Sequence, residues 1–205
     1  MKTLIELEWG LDGSRMKPEL GDEPRIVWLD IETRKIPAVT GWPFKNRWQT
    51  FMVGMAAFCD PGVMWLDVLA SDDEAELMDA IEMDTEGYEV RYAATHSFDE
   101  MVLRGRYLSC YRKPTAEPGR WPNLDRADVR WLNIRKGMKR PSWPRAADVK
   151  GVDVPTAWAA GQCELVALHC ARDVAENVLG DPDVTLAKSL SDELLRLVCD
   201  VNWRP

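Results

Sequence analysis

Three short stretches of this chain set acids and histidines at spacings that can do chemistry. Asp30 and Glu32 flank Ile31 at the end of the apolar run 26–31. On an extended strand, residues i and i+2 project from one face with Cα atoms about 6.6 Å apart. The two carboxylates therefore point together and Ile31 points away. Like charges that close repel unless cations neutralise them, and an all-oxygen donor set suits Mg2+ or Mn2+. Thr95-His96-Ser97-Phe98-Asp99 falls where a strand gives way to a helix, and His169-Cys170-Ala171-Arg172-Asp173 falls inside a helix. At i and i+4, His169 and Asp173 share one helix edge, within reach of each other and of a cleft. Taken singly, each stretch also has a plain structural account. A strand-end Asp-x-Glu can be solvated, Ser97 can cap a helix whose first turn favours Asp99 and Glu100, and His169 with Asp173 can be a helix-face ion pair.

The elements that must position these residues are legible from hydrophobic period and turn chemistry. Strands are expected at 4–9, 26–31, 51–58, 63–69 and 88–95, the third and fourth joined as a hairpin through Cys59-Asp60-Pro61-Gly62. Ser71 with Glu74, and Ser97 with Glu100, read as capping boxes opening helices over 72–83 and 98–111. Pro155 is placed to start a helix with a break at Gly161, and Gly180 and Pro182 close the helix after Leu179. Its apolar stripe reads as Leu165, Leu168, Ala171, Ala175 and Leu179, and a last amphipathic helix spans 184–201. Strands followed by helices alternating around a mixed sheet make an α/β arrangement. At 205 residues the chain reads as a single domain over 1–205, without internal repeats.

Composition narrows the partners. Five cysteines without a CxxC pair, and no export-type leader, fit reduced thiols in a soluble cytoplasmic protein. Two histidines are too few for a His-based zinc cluster, so a metal is expected on oxygen. The longest apolar run, 51–59, is too short for a bilayer span, so no membrane partner is expected. A net charge of −8 counts against nucleic acid until its distribution is considered. Between Arg112 and Lys150, eleven Lys and Arg face four acids, a balance of +7 against −15 for the remainder. This basic insertion at about 112–150 also holds Trp121, Trp131 and Trp143 among prolines 114, 118, 122, 141 and 144. Cations interleaved with flat rings suit a groove that tracks phosphates and stacks bases. Tryptophan packing onto the domain would read the same way.

In order and in residue type, the three stretches resemble the motifs of the DEDD superfamily of 3′-to-5′ exonucleases, which present four acids to two divalent ions on a ribonuclease H-like fold. The first motif is matched by Leu29-Asp30-Ile31-Glu32-Thr33, the second by His96-Ser97-Phe98-Asp99 with Leu103 following, and the third by His169-Cys170-Ala171-Arg172-Asp173. The resemblance covers about 26–180 and takes in both histidines of the chain. It implies a ribonuclease H-like mixed sheet flanked by helices, with Asp30, Glu32, Asp99 and Asp173 as metal ligands and Asp30 bridging. Two departures stand out. The third motif is Tyr-x3-Asp in one branch and His-x4-Asp in the other, whereas His169 has the tyrosine-type spacing. The second motif often carries an Asn where Thr95, His96 or Ser97 stands here.

The implied activity is hydrolysis of DNA or RNA from a free 3′ end, on a single-stranded substrate, with two Mg2+ or Mn2+ ions, releasing nucleoside 5′-monophosphates. His169, of a type whose charge changes close to neutral pH, would orient or deprotonate the attacking water. Arg135, Lys136, Lys139 and Arg140 are expected to contact the strand, with Trp131 or Trp143 stacking on bases. The alternative is a non-catalytic module of the same fold that binds nucleic acid or docks to a larger assembly.

Overall fold

The computed structural model describes residues 1–10, 25–36, 48–60, 63–85, 88–93, 98–106, 130–132, 153–181, 193–194 and 196–197. Six strands form one mixed sheet: β1 (Lys2–Gly10), β2 (Arg25–Lys35), β3 (Trp48–Asp60), β4 (Val63–Ala70), β5 (Tyr88–Ala93) and β6 (Arg130–Leu132), in spatial order β1-β4-β3-β2-β5-β6. The β1–β4, β4–β3 and β3–β2 pairs are antiparallel, while β2–β5 and β5–β6 are parallel. Helices α1 (Glu74–Asp84), α2 (Phe98–Arg106), α3 (Val154–Ala159) and α4 (Cys163–Gly180) complete the described elements.

Alternation along the strands splits the core into two layers. Val27, Leu29 and Ile31 of β2 pack with Leu77 and Ile81 of α1 and Val102 and Leu103 of α2. Trp28 packs on the other side with Met52 and Ala56 of β3 and with α3 and α4. Asp30 and Glu32 share the parity of Trp28 and so belong to the face that α4 covers. A bulge between Glu32 and Thr33 shifts the register against β3 just beyond these acids, and bulges commonly re-aim side chains beside functional sites.

Several expectations are corrected. The Ser71–Glu74 box does not form, and α1 begins two residues later than expected with Asp73 as its cap, the Asp73 carboxylate accepting from the Ala75 amide at 2.9 Å. Ser71 Oγ instead accepts from the Asp73 amide and donates to Glu76, while Glu74 is buried, accepts from the Thr50 amide at 2.8 Å and pairs with Arg106 of α2. A buried guanidinium across the layer outcompetes a local cap, because it is the stronger, charge-assisted partner. The stripe of α4 is also rotated. Val166, Ala167, Cys170, Ala171, Val174, Ala175 and Val178 are buried, whereas Leu165, Leu168 and Leu179 are half-buried. Small residues face the sheet because the helix lies close to it. Finally, the basic insertion contains an unforeseen strand, β6, pairing Arg130, Trp131 and Leu132 with Arg91, Tyr92 and Ala93.

Other expectations hold. The hairpin joins β3 to β4, Pro155 lies in the first turn of α3, and Gly161, at φ +75°, separates α3 from α4; the α3 cap, Asp153, was not expected. Only 193–194 and 196–197 of the expected last helix are described; they are helical, and Leu194 is buried against the α4 layer. Among the described residues no helix is long and apolar enough to cross a membrane.

Candidate metal centre

The D-x-E acids sit on β2 where it lies between antiparallel β3 and parallel β5. Asp30 is paired with Gly54 of β3, and Glu32 with Met52. Gly54 is the reason α4 can come down onto them. A Cβ there would stand 2.7 Å from Val174 Cγ2 and 2.9 Å from Cys170 Sγ, well inside ordinary contact distance. With only hydrogen at that position, α4 brings His169, Cys170 and Asp173 over the carboxyl-terminal half of β2. An isolated glycine in a strand pattern signals such an approach, which the motif-based reading passed over.

The fourth acid arrives from the opposite layer. Asp99 is the second residue of α2, whose Val102 and Leu103 anchor it beneath the sheet. Its carboxyl group nevertheless comes within hydrogen-bonding reach of that of Asp30, a bond that forms when one of the two carries a proton. Thus Asp30, Glu32, Asp99 and Asp173, separated by up to 143 positions, meet in one pocket. His169 lies against it, with Nε2 3.6 Å from Glu32 Oε1 and 3.5 Å from Asp173 Oδ2. Its Nδ1 is buried without a hydrogen-bond partner among the described residues.

The electrostatics of the pocket are those of too much negative charge in too little water. Burial first, then the charges of Asp99, Glu32 and Asp173, push the Asp30 carboxyl well above the usual carboxylate range. Burial followed by Asp173 and Asp99 does the same for Glu32. Asp99 is raised to about 7, chiefly by burial and then by Asp173, while its bond from Asp30 opposes the shift. A set of oxygen donors that resist ionising together is satisfied by cations, which reverse the local field. The donor chemistry of the four acids therefore fits divalent ions.

Not every expected residue can be placed. His96, Arg135, Lys136, Lys139, Arg140 and Trp143 lie outside the described residues, and Trp131 is described only as part of the β6 backbone. Cys170, by contrast, was not expected at the site. Its Sγ and one oxygen each of Asp30 and Glu32 lie within 4.8 Å of one another. Its position next to His169, one residue nearer the middle of the buried stripe, was the available signal. No protein-family model matches the chain, and no curated protein matches its sequence.

Proposed function

We propose that the chain is a divalent-metal-dependent 3′-to-5′ exonuclease of ribonuclease H-like architecture, hydrolysing DNA or RNA to nucleoside 5′-monophosphates. One observation carries this reading: four carboxylates from β2, α2 and α4 converge in one partly buried cluster, where burial and mutual repulsion disfavour the joint ionisation of Asp30, Glu32 and Asp99. Such a cluster is costly to a protein that only binds or docks, and it is useful to one that holds cations for phosphoryl chemistry. The mixed sheet with helices on both faces supports the architecture.

Asp30, Glu32, Asp99 and Asp173 would hold two Mg2+ or Mn2+ ions. When bound, such ions activate water and neutralise charge on the transferring phosphoryl group and the departing oxygen. The protein supplies the rest. Rigid β2 and α4 fix the carboxylates relative to one another, so that no reorganisation is needed at the moment of reaction. His169 Nε2, beside Glu32 and Asp173, takes the proton of the water that attacks phosphorus. The bond between phosphorus and the 3′ oxygen breaks, and that oxygen gains a proton, leaving a shortened strand with a 3′ hydroxyl. Arg135, Lys136, Lys139 and Arg140, with Trp131 and Trp143, are proposed to engage the single-stranded substrate away from the scission point.

The test is digestion of 3′-labelled and 5′-labelled single strands of matched DNA and RNA with Mg2+, with Mn2+ and with EDTA. Release of labelled mononucleotide from the 3′ end, abolished by EDTA and by Asp30→Ala, is expected. Activity that survives both removes the proposal.

A further inference from the structure

The hard-ion reading leaves one donor unused. Cys170 is fully buried on the sheet-facing stripe of α4, and its thiol makes no hydrogen bond among the described residues. It is nevertheless aimed into the acid pocket, with Sγ and the Asp30 and Glu32 oxygens mutually within 4.8 Å. The apolar neighbours Val174 and Ala171 ask only for a small side chain at 170, a role that needs no sulfur. A polarizable sulfur at that point instead changes which cations the pocket prefers, because thiolate selects soft and borderline ions while carboxylate alone suits Mg2+ and Mn2+.

We propose that the pocket is also a binding site for a thiophilic divalent cation of the zinc class, ligated by Cys170 Sγ together with Asp30 and Glu32. Zinc holds sulfur at about 2.3 Å and oxygen at about 2.0–2.2 Å, which sets tetrahedral S and O ligands about 3.5 Å apart. From a separation of at most 4.8 Å, the three side chains close on such an ion by rotamer adjustment of roughly 1 Å, without moving α4 or β2. The thiol proton passes to solvent on binding, and coordinated sulfur is a thiolate. Because Asp30 and Glu32 are shared, zinc-class and hard-ion occupancy exclude one another. A zinc-class ion is therefore an inhibitor; this consequence rests on the nuclease reading, whereas the binding does not.

The experiment uses the full chain freed of metal by chelator and titrated with Cd2+, whose thiolate complexes absorb in the ultraviolet. A saturable band at one ion per chain, removed by Cys170→Ser, is expected, together with at least a tenfold weaker Zn2+ affinity in that variant, about the loss seen even for outer-shell changes. The other four cysteines remain in the variant, so a band of undiminished amplitude and affinity there overturns the proposal. A second arm needs no substitution: saturating Mn2+ should suppress the band of the unmodified chain. A band indifferent to bound Mn2+ overturns the shared site. Mn2+ binding that Asp30→Ala abolishes, without any Cys170-dependent band, sinks the zinc-class site and leaves the nuclease reading intact. A Cys170-dependent band without Mn2+ binding does the reverse.

Discussion

Gly54→Ala is the most informative single change, because one hydrogen separates the sheet from the helix that completes the pocket. The new Cβ would lie 2.7 Å from Val174 Cγ2 and 2.9 Å from Cys170 Sγ, against ordinary contacts of about 3.5–4.0 Å. Either α4 lifts by about 1 Å or both side chains leave their rotamers. Overpacking of this kind costs about 1–3 kcal/mol, offset in part by the ~0.4–1 kcal/mol that Ala gains by restricting the unfolded chain. A net loss of about 1–2 kcal/mol is expected in urea denaturation, together with weaker Mn2+ binding by calorimetry, since Asp173 moves away from Asp30 and Glu32. If the proposed hydrolysis is measured, a 1 Å displacement is worth roughly 100-fold. Val174→Ala relieves the closer clash, so the Gly54→Ala/Val174→Ala pair should show a coupling of about 1 kcal/mol or more. Gly54→Ala with unchanged stability and unchanged Mn2+ affinity would refute the close-approach argument.

Two further perturbations test the electrostatics and the anchoring of the fold. Asp67 of β4, paired with Glu6 across the sheet, is raised to about 6 by burial and then by Glu6 and Asp84. Its folded pKa thus exceeds the unfolded value of about 3.9. The folded state binds the extra proton, so this contribution to stability is fullest below about pH 4 and is lost as pH rises to about 6. Asp67→Asn should therefore stabilise the protein at pH 7 by about 1 kcal/mol, a full-burial value near 3 kcal/mol being discounted for solvent screening. No gain should appear at pH 4, and equal urea midpoint shifts at the two pH values would contradict the assignment. Asp181, just past α4, accepts from Trp28 Nε1 at 2.8 Å and from Arg91 Nη1 at 2.6 Å, all three buried. Asp181→Ala should cost about 3 kcal/mol by removing the bonds from Arg91 and Trp28 together, the guanidinium keeping Glu89 as its other acid partner; a loss below about 1 kcal/mol would show that the aspartate does not anchor the helix.

Much of the architecture was legible along the chain because its signals are local. The β3–β4 hairpin follows from Pro61-Gly62 between two apolar runs, and the α3–α4 break follows from Gly161. Reading Asp30 and Glu32 as one facing pair needed only the two-residue period of a strand. The failures share a different cause. Ser71 and Glu74 match a capping box, but Arg106, 32 positions further on, claims Glu74. The leucines of α4 suggested a stripe that its small residues occupy, since a helix lying on Gly54 has room for alanine and cysteine but little for leucine.

By itself the amino-acid sequence indicated strands β1 to β5 and the four described helices, though not β6, together with the charge segregation of the 112–150 region and the four acids and His169 as one ordered set. Tertiary structure alone decided that those acids share a pocket, because bringing β2, α2 and α4 together depends on both layers of the sheet packing at once. It also decided that a thiol joins them. The absence of a side chain at Gly54 sets the height of α4, and that distance exists only once the helix and the sheet have met.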